Sequence, residues 1–107
     1  MDRDQQALFD IVESIELIQE YVQTIDWRNV KSKDYDAVIR RLTIIGEATK
    51  RLSTDFRAAH SEIPWKSMAG LRDIIVHEYD VINPEIVQGV VEFELPKLFP
   101  ILKGLLF

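Results

Sequence analysis

A chain of 107 residues with no cysteine has room for one hydrophobic core, and it can form no disulfide, thiolate nucleophile or cysteine-ligated zinc site. Its 47% hydrophobic and 29% charged residues are ordinary for a globular protein, and no apolar run approaches the roughly 20 residues of a membrane span. The formal net charge of -5 argues against indiscriminate nucleic-acid binding, but it is unevenly spread. Residues 1–30 carry two basic and seven acidic side chains, residues 31–66 eight and five, and residues 67–107 three and six. The middle third can offer a cationic patch to a polyanion or simply solvate a helix face. Met1-Asp2-Arg3-Asp4-Gln5-Gln6 lacks the layout of a signal peptide, so a cytoplasmic location is expected.

Four helices are predicted from spacing. In the first, Leu8, Ile11, Val12, Ile15, Ile18, Val22 and Ile25 form one apolar stripe, opposite Asp10, Glu13, Glu16 and Glu20. A polar connection containing Trp27 follows, and Asp34 is the expected N-cap of the second helix. That helix sets Val38, Leu42, Ile45, Thr49 and Leu52 on one face, with Ala37, Ile44 and Ala48 beside them. Gly46 costs about 1 kcal/mol relative to Ala in a helix interior, so it is expected to permit a close helix approach. Ser53 caps a short turn through His60. The third helix runs from Pro64 to His77 or Tyr79, burying Trp65, Met68, Leu71, Ile75 and Val76. Asn83-Pro84 opens the fourth, with Ile86, Val87, Val90, Val91, Leu95 and Leu98 on its apolar side and kinking or fraying expected at Pro96 and Pro100. The expected fold is an all-α, four-helix up-and-down bundle with a short extra helical turn, one domain over residues 1–107.

The segment Arg72-Asp73-Ile74-Ile75-Val76-His77-Glu78-Tyr79 concentrates the chemistry. Arg is a permanent cation that grips phosphate, and His moves protons near neutral pH. On a helix Arg72 and His77 are about 140° and 7.5 Å apart, so they do not share a face. Asp73 and His77, four apart, do share one, and the carboxylate can fix the imidazole tautomer. RNA brings its own nucleophile in the 2′-hydroxyl, leaving the protein to supply a base, an acid and a cation. A two-fold dimer would bring two such pairs into one cleft. The same residues also suit an ordinary helix C-terminus, where cations favour the dipole.

Arg-polar-x-x-x-His on the third helix resembles the ribonuclease motif of the HEPN superfamily. The strings Arg40-Arg41-Leu42-Thr43-Ile44-Ile45-Gly46-Glu47-Ala48, Glu62-Ile63-Pro64-Trp65-Lys66-Ser67-Met68-Ala69-Gly70-Leu71-Arg72-Asp73 and Glu94-Leu95-Pro96-Lys97-Leu98 resemble its HepT-like branch. The resemblance implies a homodimeric, metal-independent endoribonuclease toxin of a two-gene toxin-antitoxin module, working without a cofactor. Arg72 and His77 would be catalytic and Asp73 supporting. The partner implied is a minimal nucleotidyltransferase antitoxin that moves AMP from ATP to Tyr79. Bulky anionic groups there would fill the phosphate site and repel RNA. The alternative is a non-catalytic helical dimer that binds and regulates that nucleotidyltransferase.

Arg40, Arg41, Lys50, Arg51 and Lys66 can guide RNA or serve as solvated helix charges. Glu47 can pair with Arg72 and orient it. Trp65 is expected as a core anchor rather than a base-stacking platform. His60 lacks a second His at ligand spacing, and His77-Glu78 lacks the second His of a zincin motif.

Overall fold

The computed structural model describes residues 2–77 and 83–107; for residues 74–77 it describes the backbone alone. Helix α1 spans Arg3–Tyr21 and starts where the Asp2 carboxylate accepts the Gln5 backbone N–H at 2.7 Å. Leu8, Ile11, Val12, Ile15 and Ile18 are all buried, as their spacing predicts. The stripe outruns the helix, however. Past Tyr21 the N–H groups of Gln23 and Thr24 bond carbonyls three residues back, tightening the turn, so Val22 is the C-cap and Ile25 packs on the core from the connection.

Helix α2 spans Lys33–Arg51, and its cap is Ser32 rather than the expected Asp34. The Ser32 hydroxyl accepts the Tyr35 N–H at 3.2 Å. Asp34 lies inside the first turn, where the helix dipole favours a carboxylate, and accepts the Thr24 hydroxyl at 3.0 Å. Val38, Leu42, Ile45, Ala48, Thr49 and Leu52 are buried. With both faces covered, α2 is the central element, packed against α1 and α4.

Ser53 caps the short α3, Thr54–Ala59, as expected. Its N–H and hydroxyl both donate to the Asp4 carboxylate at 2.7 Å, tying the α2–α3 junction to α1. Helix α4 spans Trp65–His77. Trp65 is 6% exposed and its indole N–H donates to the His60 carbonyl at 2.9 Å, so it anchors the core and satisfies its polar edge. Met68 is buried and Leu71 half-buried; the side chains of Ile75 and Val76 lie outside the described residues.

Asn83 and Pro84 start the last helical run as predicted, the Asn83 side chain accepting the Glu85 N–H at 2.9 Å. The run comprises α5 (Pro84–Gly89), a wide π-helical turn (Val90–Glu94) and α6 (Leu95–Gly104), with helical dihedrals at both joins. The fraying expected at Pro96 and Pro100 is not seen: the irregular turn lies before Pro96, and α6 continues to Gly104. The Leu95 N–H reaches back five residues to Val90, and Pro96 falls in the first turn of α6, where a missing donor is tolerated. Pro100 lies on the exposed side and α6 runs past it. Ile86, expected on the apolar side, is 64% exposed because Val87 and Val91 take the inward positions. The buried Gln5 side chain closes the bundle: it donates to the Leu105 carbonyl at 3.0 Å and accepts the Phe107 N–H at 3.1 Å. The architecture is an all-α helical bundle, and no described helix is long and apolar enough to cross a membrane.

Candidate active site

The site is built where α4 crosses α2. Gly46 is buried, and a Cβ placed on it would lie 2.5 Å from the backbone N of Arg72 and 2.6 Å from the Arg72 Cβ. No larger residue fits without moving a helix, so the close approach expected of Gly46 is made to Arg72 itself.

The Arg72 side chain is about one-third exposed and lies between two carboxylates. Its Nε is 3.7 Å from Glu47 Oε1, and its Nη1 is 3.4 Å from Asp73 Oδ1. Lys50 donates to the same Asp73 oxygen at 2.7 Å. Glu47 and Lys50, three residues apart, share the α4-facing side of α2 with Gly46. The Lys50 hydrogen bond is the main reason the Asp73 carboxyl titrates below its ordinary value, with Arg72 adding a smaller pull. The cluster sets two cations against two anions. It holds the guanidinium in place while leaving Nη2 without a bond among the described residues. A fixed Arg on a partly open surface is suited to a phosphate oxygen.

The other candidates fall as follows. His77 is the last residue of α4, one and a half turns beyond Arg72; its side chain, and all of Tyr79, lie outside the described residues. Arg40 is exposed and Arg41 half-buried on α2, and neither joins the Arg72 cluster. Lys66 is exposed at the start of α4, in the lining of a groove of about 830 Å³ that Asp73 also lines. Arg51 turns the other way, onto Asp10 of α1 at 2.5 Å, so it belongs to helix packing. Lys50, by sequence one of several surface cations, is a member of the cluster through its bond to Asp73. Its three-residue spacing from Glu47, and four from Gly46, was the available signal. Among the described residues no three His, Asp or Glu side chains gather as a metal site would.

Residues 11–105, which contain every member of this cluster, match the family described as Ribonuclease HepT-like. The chain belongs to the ribonuclease HepT-like family. Its resemblance to that branch and its enzyme class, a ribonuclease, thus rest on nearly the whole length. Among curated relatives, "Probable ribonuclease HepT" of Thermococcus cleftensis is 41% identical over 93 residues, covering 85% of this chain and 84% of that protein. "Putative RNase MJ1380" of Methanocaldococcus jannaschii is 41% identical over 100 residues, covering 90% of this chain and 91% of that one. No solved structure is significantly similar to this HepT-like chain.

Proposed function

We propose that this HepT-like chain is a metal-independent endoribonuclease that cuts RNA with Arg72 and His77. The observation that carries the reading is the packing of α4 onto Gly46. It fixes the Arg72 backbone and aligns its guanidinium between Glu47 and Asp73, on the helix that continues to His77. His77 takes the proton of a 2′-hydroxyl, and the 2′-oxygen attacks the adjacent phosphorus. The bond to the 5′-oxygen breaks, and that oxygen receives a proton from a second imidazole. The products are a 2′,3′-cyclic phosphate and a 5′-hydroxyl, so water is not consumed in this step. Arg72 stabilises the charge that builds on the phosphoryl oxygens, the kind of interaction worth about 10²–10³-fold per donor. A homodimer supplies the second imidazole as the second protomer's His77, making base and acid of one residue used twice.

In this proposal the chain is the toxin of a toxin-antitoxin module in the cytoplasm. A minimal nucleotidyltransferase silences it by transferring AMP from ATP to Tyr79. The attacking phenolic oxygen forms a bond to the α-phosphorus and pyrophosphate leaves, which adds a negative group two residues from His77. Purified protein is expected to cut single-stranded RNA in EDTA and leave cyclic-phosphate ends. Arg72→Ala and His77→Ala, with helical content unchanged, are each expected to lose at least about 10²-fold in rate. Cleavage that requires a divalent metal, or survives both changes, overturns the mechanism. If no RNA is cut while the nucleotidyltransferase is bound tightly, the chain is the regulatory partner instead.

A further inference from the structure

We propose that the groove between α3 and α4 is the track for the RNA strand flanking the cut phosphate, with Arg57 and Lys66 as its phosphate-binding residues. The inference rests on the ribonuclease reading above and adds the path by which substrate reaches that site. The groove has a volume of about 830 Å³ and runs from α3 along the first two turns of α4. Arg57 of α3 and Ser61 just after it line the groove together with Lys66, Gly70 and Asp73 of α4, and Asp73 is paired with Arg72 at 3.4 Å. Through Asp73 it adjoins the candidate catalytic arginine.

Three observations favour a polyanion here. Arg57 and Lys66 form no ion pair among the described residues, although the chain carries a net charge of -5 and acidic partners are plentiful. The Arg57 Nε is buried without a hydrogen-bond partner among the described residues, so no carboxylate there competes for this half-buried guanidinium, and a phosphate can be met by its terminal nitrogens. The one anion in the groove, Asp73, is already neutralised by Lys50 at 2.7 Å and Arg72 at 3.4 Å. Lys66 is six residues before Arg72, a rise of about 9 Å along α4, so it sits at the reach of a neighbouring phosphate rather than the one being cut. The apolar surface of Ala58, Pro64 and Ala69 suits sugars and base faces, and cations beside apolar surface are how single strands are tracked without sequence readout. A Cβ at Gly70 would meet nothing within 4 Å, so the floor of the groove is open space and not packed core.

The test uses the full chain and a labelled 2′-O-methyl oligonucleotide, which lacks a free 2′-hydroxyl and binds without being cut, alongside cleavage of the matching RNA. Lys66→Gln and Arg57→Gln should each raise Kd about tenfold and flatten the salt dependence of binding by about 0.7 in the log–log slope, as expected for one lost phosphate contact to a single strand. Gly70→Leu fills the groove without touching the core and should raise KM about tenfold while kcat stays within about threefold. Lys31→Gln, on the exposed connection before α2, is the charge control and should change neither. If Arg57→Gln fails to fold, Lys66→Gln and Gly70→Leu decide the matter. Wild-type cleavage with both of these unchanged in KM and salt slope overturns the groove and spares the ribonuclease reading. Failure of the wild type to bind or cut RNA overturns both. Loss of a protein partner in these variants, with RNA binding intact, reassigns the groove to protein docking and also overturns the proposal.

Discussion

Lys50 and Arg72 both approach Oδ1 of Asp73, and the consequence is a carboxyl that stays ionised to lower pH than usual. Its pKa is depressed by folding, so its contribution is complete at neutral pH and is lost as pH falls below about 4 through the folded value. In Lys50→Met the Asp73 midpoint, followed by carboxyl carbon-13 shifts, should rise toward its ordinary value; an unmoved midpoint would show that Lys50 is not its main partner. Glu47 is half-exposed and 3.7 Å from Arg72, so Glu47→Gln should cost less than about 1 kcal/mol of stability. Its effect belongs to RNA cleavage, which should fall as Arg72 loses one of its two orienting carboxylates. Unchanged cleavage would remove Glu47 from the site.

The α2–α4 crossing makes Gly46 far more demanding than the other glycines. Gly46→Ala gains about 1 kcal/mol of helix propensity, yet its methyl would collide with the backbone and Cβ of Arg72. The expected net result in urea unfolding is a loss of about 1–3 kcal/mol, as in overpacked cores. Cleavage should fall roughly 10²-fold, because a shift of about 1 Å in a positioning element has that effect. Gly89→Ala is the contrast: a Cβ there meets nothing within 4 Å, and the change should be neutral or stabilise by up to about 1 kcal/mol. Equal behaviour of the two variants would refute the close-approach explanation.

The assembled bundle leaves apolar surface unused. Ile86 and Phe93 on the last helical run are 64% and 62% exposed, and a shallow apolar hollow of about 170 Å³ lies between α4 and α6, lined by Met68, Leu71, Leu95 and Leu98 among others. These features suit the proposed homodimer, whose interface needs an apolar strip outside the monomer core. Ile86→Lys and Phe93→Lys should shift sedimentation toward monomer while leaving monomer unfolding within about 0.5 kcal/mol, since neither side chain is buried. If the cleft is composite, cleavage falls with the dimer and recovers at high protein concentration. Monomers that cut RNA at the full rate would place the whole site in one protomer.

Much of the bundle was readable because its signals are short-range. Apolar residues every three and four positions name the inward face of α1 and α2, and Ser53 and Asn83-Pro84 cap their own helices through bonds spanning a few residues. Gly46 was readable too, since an interior helix glycine needs a reason, and so were the Arg72–His77 spacing and the family resemblance. What no local pattern contains is which atoms meet across helices. Ser32 is the cap because the helix begins at Lys33, which leaves Asp34 inside the first turn and bonded to Thr24, ten residues away; Ile86 faces outward because Val87 and Val91 take the inward positions. Lys50 became a partner of Asp73, twenty-three residues on, once α4 settled onto Gly46. The residue types and helical faces follow from covalent geometry and hydrophobic spacing. The Arg72 cluster follows from the depth and angle at which two helices pack, a many-body result of every side chain between them.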